Sequence, residues 1–92
     1  MTSDPREQLE ALLQVAEACG LLIRRENLGG EGGGFCRIKG QGVIFVDLAS
    51  DPFTQLTKCA QTLARTPQVE AHFLRPDLRA LIEAHRQPTP EE

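Results

Sequence analysis

The chain has no tryptophan and no tyrosine, and its aromatic residues are Phe35, Phe45, Phe53 and Phe73 alone. That leaves no run of flat side chains on which successive bases of a single strand could stack. Positive charge is not in excess either: 10 Lys and Arg stand against 13 Asp and Glu, a net charge of −3. Polynucleotide binding rests on clustered cations that release counterions, so DNA and RNA are poor partners. No apolar run approaches the roughly 20 residues that span a bilayer, which excludes a membrane segment of helical type. The opening Met1-Thr2-Ser3-Asp4-Pro5-Arg6-Glu7 lacks the basic-then-apolar pattern of an export signal, and the expected location is cytoplasmic. Cysteine is scarce and odd in number, at positions 19, 36 and 59, so a disulfide framework is not expected. There is no C-x-x-C and no H-x-x-x-H. Cys19, Cys36, Cys59, His72 and His85 make up the ligand pool, and none of their spacings suits a metal site, so no metal and no cofactor is expected.

What is present suits one small globular unit. Ninety-two residues at 40% hydrophobic and 25% charged can build one core and not two. Asp4-Pro5-Arg6-Glu7 opens a first helix with an N-cap carboxylate, a proline at N1 and a glutamate placed for a capping box. Leu9, Leu12, Leu13, Ala16 and Cys19 recur at helical spacing, and Gly20 supplies the stop. Leu21 to Leu28 reads as a first strand running into glycines. Phe35 to Lys39 and Val43 to Asp47, joined through Gly40-Gln41-Gly42, read as a hairpin. Its register is open: a two-residue Gly40-Gln41 turn pairs Ile38 with Val43, and a three-residue turn pairs it with Ile44. The third strand is apolar on both faces, which suits a central or doubly covered position, whereas Arg37 and Lys39 keep one face of the second strand wet. Ser50-Asp51-Pro52 opens a second helix with Phe53, Leu56, Ala60, Leu63 and Ala64 inward, ending near Thr66-Pro67. Arg75-Pro76 opens a third, with Leu78, Leu81 and Ile82 inward. The predicted fold is α+β in the order αβββαα, a three-stranded antiparallel meander with helices packed on one face, over residues 1–86. Residues 87–92 are expected to form a disordered polar tail.

The unusual feature is Gly29-Gly30-Glu31-Gly32-Gly33-Gly34, since five glycines in six residues cost backbone entropy on ordering. Three uses compete: an anion cradle of backbone N–H groups, a mobile flap over a binding face, and a bulged connection with close backbone packing. A phosphate loop leads into a helix and carries a lysine, whereas a strand follows here and Glu31 sits inside, so the connection is the favoured reading. Cys36 follows the loop beside Arg37, and a thiolate near a guanidinium is what a nucleophile or redox sensor needs, although free cysteines are more often core. Gly32, Gly33, Gly34, Cys36 and Arg37 are therefore the candidate ligand-binding residues. No catalytic set assembles: Ser3 and Ser50 are the only serines, both at helix starts. Arg24, Arg25, Arg37 and Lys39 could form a basic strip on the sheet, diluted by Glu26, Glu31 and Asp47.

Through Gly32-Gly33-Gly34-Phe35-Cys36-Arg37-Ile38, Val43-Ile44-Phe45-Val46-Asp47 and Phe73-Leu74-Arg75-Pro76-Asp77-Leu78-Arg79, nearly the whole chain resembles a family of short, uncharacterised bacterial proteins. The resemblance implies a stand-alone cytoplasmic domain and carries no catalytic residue across. A fainter architectural likeness is to the front half of the ImmA/IrrE-type peptidases, in which a small antiparallel sheet precedes a helix bearing H-E-x-x-H. Here the corresponding positions hold Thr57, Lys58 and Gln61, which cannot replace His, Glu and His.

The leading functional reading is a non-catalytic interaction or self-association module, with a homo-oligomer or a protein as partner. The alternatives are a small-ligand or anion binder built on the glycine loop with Arg37, and a thiol enzyme or sensor centred on Cys36.

Overall fold

The computed structural model describes residues 4–31 and 33–86; Gly32, Ser3 and the expected tail at 87–92 lie outside them. Helix α1 runs Pro5–Ala18, β1 Leu22–Glu26, β2 Gly34–Ile38, β3 Gln41–Asp47, α2 Pro52–Ala64 and α3 Pro76–Ala84, with a short 3₁₀ helix at Pro67–Ala71 between the last two.

Each helix starts where its capping chemistry places it. The Asp4 carboxylate accepts from Arg6 N at 3.0 Å, and Pro5 fills the first turn, where a missing N–H costs nothing. At the far end Leu21 N donates to Ala16 O and Gly20 N to Glu17 O, with Gly20 at φ +91°, which is the Schellman closure. The second helix is capped by Asp51, whose carboxylate accepts from Thr54 N and from the Thr54 hydroxyl at 2.6 Å. Ser50, expected at this cap, instead donates its hydroxyl to Asp47. Glu7, expected to close a capping box, gives both carboxylate oxygens to Arg75 at the start of α3.

The sheet departs from the expected meander. Its strand order is β1-β3-β2, with β1 parallel to β3 and β2 antiparallel to it. The strand that is apolar on both faces takes the centre, and the 27–33 loop carries the chain over its end to the opposite edge. Stepping across one strand means moving about 10 Å sideways, which a tight turn cannot do and a seven-residue loop can. Glycine makes the step possible at 33, where φ is +78° and a Cβ would lie 2.1 Å from Phe45 O.

The hairpin between β2 and β3 forms as expected but in another register: Ile38 pairs with Gln41, Arg37 with Gly42 and Cys36 with Val43. Its turn is Lys39-Gly40, at φ +52° and +81°, the two left-handed residues that match the twist of a two-residue hairpin. Gln41 is thereby released into the strand, and its side-chain amide donates to Gly20 O at 2.7 Å and to Gly42 O at 3.0 Å.

Alternation along the strands sets the faces. Ile23, Ile44 and Val46 join a core with Leu9, Leu12, Leu13 and Ala16 of α1, Leu56, Cys59, Ala60 and Leu63 of α2, and Val69, Leu74, Leu78 and Ile82. Val43 and Phe45 are absent from that cluster, so the helices cover one face of the sheet. The apolar stripe of α2 is Leu56, Cys59, Ala60 and Leu63, at i, i+3, i+4 and i+7. Phe53, expected within it, is 64% exposed. Among the described residues, no helix is long and apolar enough to cross a membrane.

Candidate functional site

The helix-covered face of the sheet is not filled to its edge. Past the start of β3 a cleft of about 780 Å³ opens between β2 and the second half of α2. The α1 stop, Cys19-Gly20-Leu21, forms one end, and Thr66, Pro67 and Gln68 form the other. Gly33, Gly34, Phe35 and Arg37 line the strand side, with Gly40, Gln41 and Gly42 from the hairpin below. The helix side is a polar stripe, Lys58, Gln61, Thr62 and Arg65, again at i, i+3, i+4 and i+7. The same periodicity that buries one face of α2 therefore points a second, cationic face into the cleft.

Charge is segregated. Among the described residues the ion pairs engage Arg24 with Glu26, Arg25 with Glu10, Arg75 with Glu7 and Asp77, Arg79 with Glu70 and Glu83, and Arg86 with Glu70 and Glu83. Arg37, Lys58 and Arg65 form none of these pairs, and among the described residues no carboxylate lines the cleft. A chain of net charge −3 thus gathers three uncompensated cations in one concavity. Half-enclosed walls of low dielectric strengthen the attraction such a group exerts on an anion.

Phe35 and Arg37 lie on the same face of β2, two residues apart, and the guanidinium sits 5.7 Å from the ring centroid. An Arg37 nitrogen donates to Gly40 O at 3.4 Å, a long bond that leaves the rest of the fork free. Gly42, the strand partner of Arg37, is where these walls meet: a Cβ there would lie 2.6 Å from Leu21 Cδ2 and 3.0 Å from Phe35 Cε1. The glycine lets the Leu21 and Phe35 side chains close over a buried stretch of backbone.

Of the candidate residues read from the sequence, Gly33, Gly34 and Arg37 line the cleft, and Gly32 is outside the described residues. Cys36 is not brought to them. Alternation turns it to the uncovered face beside Val43, where its thiol is exposed and its nearest polar partner is the Arg37 carbonyl at 4.0 Å, not the guanidinium. The other thiols are Cys19, half-buried with its pKa raised by desolvation, and Cys59, buried and pushed up to about 12 by the same cause. Among the described residues no three His, Cys, Asp or Glu side chains group to hold a metal ion. The expected basic strip is divided: Arg25 reaches Glu10 on the helix side, Arg24 pairs with Glu26 on its own strand, and Arg37 faces the cleft.

Lys58 and Arg65 carry a signal in their spacing. Read at i, i+3, i+4 and i+7, residues 58, 61, 62 and 65 form a stripe that is polar throughout and free of acids. A second groove, along the outer side of α1, is bordered by Glu7, Glu10 and Arg75 beside His72 and the 85% exposed Phe73. Its carboxylates are already committed, Glu7 to Arg75 and Glu10 to Arg25, and each is held below the usual carboxylate range by its arginine. In comparisons with protein-family models, with curated proteins and with solved structures, the chain matches none.

Proposed function

We propose that this chain is a small-ligand-binding domain whose cleft takes an anion. The observation that carries the reading is the set of three cleft cations, Arg37, Lys58 and Arg65, left out of the ion pairs that engage Arg24, Arg25, Arg75, Arg79 and Arg86. Unpaired cations in a concave site repel one another until a counter-charge arrives, and an anion that satisfies them also gains charge-assisted hydrogen bonds. The glycines at 33, 34 and 40 support it by leaving backbone without side chains along the opposite wall. The domain needs no catalytic group for this role.

Calorimetric titration with inorganic pyrophosphate tests the reading. Binding is expected, and Lys58→Ala and Arg65→Ala are each expected to weaken it roughly tenfold, the worth of one charge-assisted contact. Arg24→Ala, which breaks a pair outside the cleft, should leave it unchanged. Equal affinity in all four proteins, or no binding to any, counts against the proposal.

A second reading, self-association, is favoured by the uncovered sheet face. Leu22 and Ile38 are 53% and 43% exposed there, on two edge strands that flank Val43. Light scattering over a concentration series decides it: a dimer that Leu22→Glu dissociates supports the reading, and a monomer throughout removes it.

A further inference from the structure

We infer that the ligand of this cleft is a nucleoside polyphosphate, an anion that carries a flat ring as well as two or more negative charges. The inference rests on the anion-binding reading and narrows it. Size is the first ground. A cleft of about 780 Å³ falls within the roughly 300–1,000 Å³ typical of sites for drug-sized ligands, far more room than a lone inorganic ion fills.

The spread of charge is the second ground. Lys58 and Arg65 stand seven residues apart on one face of α2, about 10 Å along the axis, and Arg37 faces them from β2. One tetrahedral anion is satisfied by one or two of these groups. A chain of phosphates, extended over two helical turns, engages all three.

The third ground is the apolar surface beside the cations. Phe35 is 45% exposed, and its ring lies over Gly42 on the same side as the Leu21 side chain, with the Arg37 guanidinium 5.7 Å from its centroid. Such a ring, next to a planar cation, offers a flat base a face to stack on and an arginine plane to extend it. Gln61, between the two helix cations, supplies an amide donor and acceptor for the ring edge or the sugar.

Calorimetry on the full chain, in buffer with a chelator and no divalent metal, compares ATP, inorganic triphosphate and adenosine. ATP is expected to bind about tenfold tighter than triphosphate, the worth of one stacked base, with adenosine alone not binding measurably. Phe35→Ala should bring ATP down to the affinity of triphosphate while leaving triphosphate unchanged. Phe35→Leu keeps an apolar side chain over Gly42 but removes the π face, and should do the same, which separates stacking from a folding defect. Equal affinities for ATP and triphosphate, or an ATP preference that survives Phe35→Leu, overturn the inference and leave the anion site standing. Failure of all three compounds to bind overturns both.

Discussion

Asp47 is the residue on which the loops around the sheet depend. It has no exposure, and one carboxylate oxygen accepts from Leu28 N and Ala49 N, both at 2.9 Å, while the other takes the Ser50 hydroxyl. Its carbonyl accepts from the Gln55 amide at 2.7 Å. A single buried carboxylate therefore fixes the start of the 27–33 crossover and the turn into α2. Asp47→Ala strips the partner from two backbone N–H groups and is expected to cost about 2–4 kcal/mol in chemical denaturation, with Asp47→Asn costing less because one acceptor oxygen survives. The glycines differ among themselves in the same way. Gly29 and Gly33 both have positive φ, but a Cβ at 29 meets nothing within 4 Å and one at 33 meets Phe45 O at 2.1 Å. Gly29→Ala should cost roughly 1 kcal/mol of left-handed strain, and Gly33→Ala at least about 2 kcal/mol more, because backbone must move.

At the scale of elements, the link between α1 and α3 is polar as well as apolar. Arg75 binds Glu7 through two nitrogens, at 2.7 and 3.0 Å, and Asp77 through two more contacts, while Gln8 donates to Asp77 at 3.1 Å. The guanidinium holds both carboxyls below their ordinary range, Asp77 more strongly than Glu7. Between the folded and unfolded pKa values the unfolded chain binds the extra protons, so stability rises with pH there. The contribution is complete above about pH 5 and is lost as pH falls through the depressed values. Arg75→Gln should flatten that acid limb in denaturation midpoints measured from pH 2 to 6, with little change near neutrality in its slope.

These elements were largely legible in the sequence, because the caps at Asp4, Asp51-Pro52 and Pro76 and the glycine at 20 act over neighbouring residues. The pairing partner of β1 was not. Nothing within Leu22–Glu26 distinguishes a neighbour two strands later from the next one, since that choice is made by the length of the crossover and by which strand is apolar enough for the centre. The hairpin register also escaped, because a lysine at φ +52° is a conformation its own side chain does not favour. Half of the cleft was readable from the glycines and Arg37. The other half lies on α2, and its cations become a site only once that helix is laid across β2.

For the whole molecule, topology and charge lead to the same place. Putting β3 at the centre sends β2 to an edge, where α2 lies against it and the space toward the hairpin stays open. The acidic groups are drawn elsewhere, Glu7 and Asp77 to Arg75, Glu70 to Arg86, and Glu10 to Arg25 of β1. Among the described residues, what remains on a chain of net charge −3 is a basic concavity between β2 and α2. The most direct measurement is a titration of ¹⁵N-labelled protein with pyrophosphate, followed amide by amide. The expected result is saturable shifts confined to the cleft lining, residues 19–21, 33–37, 40–42 and 58–68, with the α1 groove and the outer sheet face still. Shifts that never saturate, or that gather at Lys39 and Arg6 outside the cleft, would contradict an anion site between β2 and α2.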